Sequence, residues 1–379
     1  MTAPLIYEPW FDRAEYEDRL ARVQDGLRAR GLDALLAFQP ETVTWVTGFF
    51  TRGYGSFQLA VIPAEGAPLL ICRDVEEFYL DATCVFPARA MWTDSDDPVT
   101  VAAAAIRGHV GPAARLGIEL SAWPLSVARH EGLRAGLPGH AFEDASDLVR
   151  DMRLIKSPAE IAWQRRAGAA AAAGMQAAID SAGPGVSERE MAAEICAAMI
   201  RAGSDLPGPG VMSSDERAFH LHGGYSDRVL ARGDIVQIET TPNVRHYHAR
   251  FMRPIRVAEA SDDDQRTVER LIAIQDAALA EVRPGVPATV PDAIYRDGVL
   301  SAGLRESYTN KTFYSVGLLL QPSGGERLEA APGCDWSFQE GMTFHTYVLA
   351  RGFGMSETIA ITADGHERLT TFPRQLFVA

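Results

Sequence analysis

Between Arg13 and Gly31 the apolar residues Tyr16, Leu20, Val23 and Leu27 return every three or four positions, so residues 13–31 are expected to form an amphipathic helix ended by the glycine. The period then shortens. Leu32-Asp33-Ala34-Leu35-Leu36-Ala37-Phe38 reads as a strand, and Thr44-Trp45-Val46-Thr47-Gly48 as a turn. Gln58–Pro63 and Pro68–Cys72 are apolar runs flanking Ala64-Glu65-Gly66, the pattern of a hairpin. Helical and strand patterns alternate as far as Phe142, which predicts a small α/β domain over residues 1–150.

A second domain is expected over residues 151–379. At its start Ser157 can cap a helix, Pro158 suits the first helical position and Glu160 completes a capping box. Pro184-Gly185-Val186 leads into one helical segment and Pro284-Gly285-Val286 into another, each after a long helix (161–179 and 264–280). The echo suggests a duplicated half, with a site between the copies.

Composition acts mainly by exclusion. The chain has 379 residues, 47% hydrophobic and 23% charged, the balance of a soluble globular protein. A net charge of −14 disfavours nucleic acid or an anionic membrane surface as partner, since phosphate binding needs clustered Lys and Arg. Cys72, Cys84, Cys196 and Cys334 show no paired spacing and are expected to be reduced. The first eight residues lack a basic and an apolar region, and no apolar run approaches about 18 residues, so a cytoplasmic protein is expected.

The densest chemistry lies in Gly233-Asp234-Ile235-Val236-Gln237-Ile238-Glu239 and Arg245-His246-Tyr247-His248-Ala249-Arg250. With Arg153-Leu154-Ile155-Lys156-Ser157, the two Pro-Gly-Val leads, and His222 eleven residues before Gly233, these segments resemble the pita-bread superfamily of methionine aminopeptidase, prolidase and creatinase. Trp45-Val46-Thr47-Gly48, Arg245–His248, Tyr314-Ser315-Val316-Gly317 and Gly341-Met342-Thr343-Phe344-His345 are most similar to its metal-free branch, creatinase and ectoine hydrolase. The resemblance implies an α+β fold: a pita-bread catalytic domain behind the smaller α/β domain, in a homodimer. Metal-dependent members bind two metals through two aspartates, a histidine and two glutamates, which suit hard divalent ions. At the matching positions this chain has Glu239, Arg250, Tyr314, Tyr347 and Glu357. A cation cannot ligate a cation, so no metal and no cofactor are expected.

His222 matches the superfamily histidine that assists proton transfer, and a neutral imidazole can take and return a proton near pH 7. Glu239 is open to three roles (cation anchor, general base or nucleophile), or to a static pair with Arg250. Glu357 can hold a cationic nitrogen or tune His222, with pairing to Arg250 as the plain alternative. Tyr314, Tyr347, His345 and Arg250 are substrate-binding candidates. So is His248, because alternation on a strand puts His246 and His248 on one face and Tyr247 on the other, and the resemblance favours His248. His220, two residues before His222 on a segment read as extended, is a lesser candidate. Arg52, Tyr54 and Phe57 lie on the segment that creatinase-type dimers insert into the partner's site.

Asn310-Lys311-Thr312-Phe313 and Met252-Arg253-Pro254 depart from the branch pattern, so the substrate can differ. The function expected is metal-independent hydrolysis of a C–N bond in a small amidine- or guanidine-like metabolite. A silent ligand-binding protein is the alternative, and a metallo X-Pro aminopeptidase fits the ligand count least.

Overall fold

The computed structural model describes residues 7–208, 210–320 and 325–379. Met1–Ile6, on which the leader-free reading largely rests, lie outside the described residues. The chain divides into two compact units, Met1–Met152 and Arg153–Ala379. Among the described residues no helix is long and apolar enough to cross a membrane, and all four cysteines are free.

The first unit opens on α1 (Arg13–Arg30), which buries Tyr16, Leu20, Val23 and Leu27 and stops at Gly31 in the left-handed conformation (φ 65°). Then follow β1 (Ala34–Ala37), α2 (Pro40–Thr47), β2 (Leu59–Pro63), β3 (Leu69–Arg73), α3 (Glu77–Thr83), β4 (Arg89–Trp92), α4 (Pro98–Val110), β5 (Arg115–Ile118), α5 (Val127–Gly136), β6 (Ala141–Asp144) and α6 (Ser146–Met152). The strands form one mixed sheet in the order β4-β3-β2-β1-β5-β6, with β2 and β3 as the expected hairpin. The segment read as a turn at Thr44–Gly48 is instead the last turn of α2. Pro40 starts that helix, its eight residues are all buried, and Gly48 closes it at φ 79°.

The second unit begins with α7 (Pro158–Ser181), whose capping box between Ser157 and Glu160 is formed in full. It continues through α8 (Glu188–Arg201), β7 (Met212–Ser214), β8 (Ile235–Thr240), β9 (Asn243–Val244), β10 (Tyr247–His248), β11 (Phe251–Arg256), α9 (Asp262–Ala280) and α10 (Thr289–Ser301). The last strands are β12 (Phe313–Ser315), β13 (Glu329–Ala330), β14 (Thr343–Ala350), β15 (Phe353–Ile361), β16 (His366–Arg368) and β17 (Phe377–Val378). Two helix pairs, α7 with α8 and α9 with α10, thus follow the echo seen in the sequence. Two sheets, β17-β11-β8-β7 and β13-β12-β14-β15-β16, carry the site. Hydroxyls stitch them together: Met252 N–H donates to Ser356 Oγ (2.6 Å), and Thr358 Oγ1 accepts from Arg250 N–H and donates to the Arg250 carbonyl (both 2.8 Å).

Candidate active site

Where the sheets meet lies a cavity of about 600 Å³. Glu239 enters it from the end of β8, and the β8–β11 register sets Met252 opposite, so Met252 and Arg250, two residues apart, share that face. Gly210 presses on the back of Glu239: its φ is 67°, and a Cβ there would stand 1.9 Å from the Glu239 carbonyl oxygen. Tyr314 comes from β12, and His345 and Tyr347 from the same face of β14. His222 reaches the cavity from a loop.

Two charges in this space are deeply buried. Glu239 is 5% and Arg250 7% exposed. Burial pushes the Glu239 carboxyl above its ordinary value, and the Arg250 guanidinium pulls it back. Arg250 Nη1 donates to Tyr314 Oη (3.4 Å), with its guanidinium 5.8 Å from that ring's centre. Burial raises both Tyr314 and Tyr347, keeping them protonated. His345 is wholly buried, stacked on Tyr347 and edge-on to Tyr314, with Nε2 3.5 Å from Glu239 Oε1. His248 is driven down to about 3 by burial and by Arg250, and His345 falls well below its usual value for the same reasons.

Those two histidines make stability pH-dependent. Their folded-state values lie below the unfolded 6.5, so each contributes its full stability above pH 6.5 and loses it as the pH falls from there, for His248 toward about 3. By about pH 5 His248 costs roughly 2 kcal/mol. Urea denaturation across this range should therefore show a shallower acid loss for His248→Gln than for the wild type; parallel curves would contradict it.

Several residues stand elsewhere than expected. Glu357 does not line the cavity. The β14–β15 register puts it opposite Thr346, on the face away from His345 and Tyr347. There it pairs with Arg253 (2.7 Å) rather than Arg250, both side chains fully buried, and Thr370 Oγ1 donates to its other oxygen. His220 does not line the cavity either. It closes a short 3-10 turn (Asp215–Phe219), and His222 is left-handed (φ 66°), so the segment is not extended and the two do not share a face. Phe57 is a core residue of the first unit, packed edge-on against Phe38. Beside it Arg52 is exposed and Tyr54 half-buried against Trp123.

Two lining residues are not among the substrate contacts expected, although alternation puts His246 on one face with His248. His246 reaches the cavity together with His248, while Tyr247 turns away to Glu160 (2.7 Å). Arg245 and His246 form a two-residue hairpin turn with φ of 53° and 58°, a geometry that ordinarily takes Asn-Gly. Holding such bulky residues there stores about 1–3 kcal/mol each, strain of the kind found at functional sites. Lys311 is the other, its Nζ paired with Glu329 and 5.2 Å from the Tyr314 ring centre.

The donor set does not suit a dinuclear metal centre. Of the five positions only Glu239 offers a carboxylate to the cavity, while Arg250 brings a cation, two are protonated tyrosines and Glu357 is bonded away. Among the described residues no group of three or more His, Cys, Asp or Glu is arranged to hold a metal ion.

Comparison with known proteins places this architecture. The solved dipeptidase PepE of Mycobacterium ulcerans superposes with a TM-score of 0.82 at 26% identity, covering 97% of this chain and 99% of that one. Ectoine hydrolase of Halomonas elongata is 27% identical over 97% of this chain and 98% of its own length. The Xaa-Pro dipeptidase of Pyrococcus horikoshii is 30% identical over 69% of this chain and 74% of its own. The Creatinase/Prolidase N-terminal domain matches residues 19–155. Metallopeptidase family M24 matches residues 162–363, more than half of the chain, which therefore belongs to that family of hydrolases.

Proposed function

We propose that this chain is a metal-independent hydrolase that cleaves a C–N bond in a small polar metabolite carrying an amidine- or guanidine-like cation. The observation that carries the reading is the buried Arg250 guanidinium beside Glu239 in the cavity, where a metal site would need a carboxylate. Arg250 suits a substrate carboxylate. Glu239 suits the cation, whose charge offsets the burial that otherwise disfavours an ionised Glu239. A delocalised cation is also better held by a carboxylate than beside two divalent ions.

In such a reaction water adds to the amidinium carbon. His222 takes the water proton as the C–O bond forms, then gives it to the nitrogen as the C–N bond breaks. Leu221, Leu319, Leu320 and Met252 line the apolar part of the cavity, which suits the carbon skeleton of a small metabolite. Similarity to ectoine hydrolase supports the non-peptide bond, while similarity to Xaa-Pro dipeptidase favours a peptide bond as the second reading. In the proposed homodimer the exposed Arg52 and the neighbouring Tyr54 complete the partner's cavity.

The test is a thermal-shift screen with cyclic amidines, guanidino acids and Xaa-Pro dipeptides, followed by product analysis. A cyclic amidine or guanidino acid should be both stabilising and hydrolysed, and Glu239→Gln should lose that turnover. Hydrolysis of the dipeptides alone would select the second reading; stabilisation without any product would make the chain a binder.

A further inference from the structure

Arg153 and Lys156 surround a third buried charge, Glu326. Lys156 Nζ and Arg153 Nη2 both donate to its carboxylate, the second at 3.5 Å, with Lys156, Arg153 and Glu326 1%, 7% and 6% exposed. Arg153 Nη2 also donates to the Leu318 carbonyl (2.5 Å), and Glu326 N–H to the Ser315 carbonyl (2.7 Å). Leu318, in the middle of the strip Gly317–Leu319, is therefore held from one side by Arg153. The strip's other side runs beside the cavity hairpin: His248 N–H donates to the Gly317 carbonyl (3.0 Å), Leu319 N–H to the His246 carbonyl (3.1 Å), and Leu318 bridges Tyr247.

One further contact reaches a side chain. The Leu319 carbonyl lies 3.1 Å from His248 Nε2. A carbonyl only accepts, so Nε2 carries the ring hydrogen. Burial beside Arg250 keeps the ring neutral, which leaves Nδ1 as a bare lone pair. That nitrogen is buried without a hydrogen-bond partner on a residue that lines the cavity. Buried polar atoms in folded proteins are ordinarily paired, so an orphan on a residue that lines a cavity points to a ligand atom as its partner.

We propose that His248 is a specificity-determining residue whose Nδ1 accepts an N–H or O–H of the ligand, and that Arg153, Lys156 and Glu326 are positioning residues that hold the Leu318 carbonyl and, through the adjoining peptide, the Leu319 carbonyl that fixes its tautomer. This rests on the cavity being the ligand site of the proposed function. A ligand offering a donor at this point is accepted; one offering a lone pair there is repelled. The clamp acts from outside the cavity and touches no ligand atom.

The test reads the histidine rings by long-range ¹H–¹⁵N NMR in the full chain, with His248 assigned from His248→Gln. The resting wild type should show the Nε2–H tautomer. Acetamidinium, rich in N–H donors, should shift the His248 Nδ1 resonance, and tetramethylammonium, which has none, should leave it in place. Glu326→Gln should populate the other tautomer and weaken acetamidinium binding roughly tenfold, the scale of one hydrogen bond. An Nδ1–H or doubly protonated ring in the wild type, or equal shifts with both probes, would overturn the acceptor role. A folded Glu326→Gln with unchanged tautomer and affinity would overturn the clamp. The wild-type measurements need only the His248→Gln assignment and decide the first part even if Glu326→Gln fails to fold. None of them reads turnover, so a failed hydrolase assay would leave the acceptor role and the clamp standing.

Discussion

Replacing His222 by alanine should reduce turnover by about 10²–10⁴-fold, the range for losing a positioned proton-transfer group, while leaving the fold in place. The side chain is exposed, so its removal opens no core cavity. What it does hold is an unusual backbone position at φ 66°. Alanine is no better there than histidine, so His222→Asn, which tolerates the left-handed region, is the companion variant. Both should melt within a few degrees of the wild type and both should be slow. Wild-type turnover in either would remove the proton-transfer role, and a large loss of melting temperature in both would make His222 a structural residue.

The largest stability effect is expected at Glu357. Arg253 places all five of its N–H groups: Nε on the Pro373 carbonyl, Nη1 on Met252 and Ser356, Nη2 on Phe372 and Glu357. Removing the only carboxylate in that set leaves a buried cation uncompensated. Glu357→Ala should therefore cost about 3–5 kcal/mol in urea denaturation, and Arg253→Met with Glu357→Leu should recover most of the loss. A change below about 1 kcal/mol would show that the pair contributes no more than a surface ion pair does. If Glu357 instead bound the cationic nitrogen directly, Glu357→Gln would raise KM with little change in stability. The two outcomes are easily told apart.

How much can be read from the chain alone follows the range of the forces involved. The limits of α1, the β2–β3 hairpin and the capping box at Ser157 are set by neighbours in sequence, and they are legible there. The short helix at Pro40–Thr47 is not: its residues are so uniformly buried that no helical face shows in the pattern. Glu239, Arg250, Tyr314, His345 and Tyr347 are legible through family resemblance, and the structure gathers them around one cavity.

The face on which Glu357 points depends on the β14–β15 register, which no short window contains. Its true partner, Arg253, is visible in the sequence only as part of a segment departing from the branch pattern. His246 shares a strand face with His248 on paper, yet a hairpin of two-residue strands leaves no periodicity to show that both reach the cavity. The sharpest local signal there is an Arg-His pair in a turn that prefers Asn-Gly, and it becomes visible only once the turn itself is known.

The proposed function rests on a guanidinium, Arg250, standing where the resemblance puts a metal-binding carboxylate. Elemental analysis of a fully active preparation, paired with rates before and after exhaustive chelation, addresses this most directly. We expect far less than one zinc, manganese, iron or cobalt per chain and an unchanged rate after chelation. Near-stoichiometric metal whose removal abolishes activity, and whose return restores it, would contradict metal-independent hydrolysis.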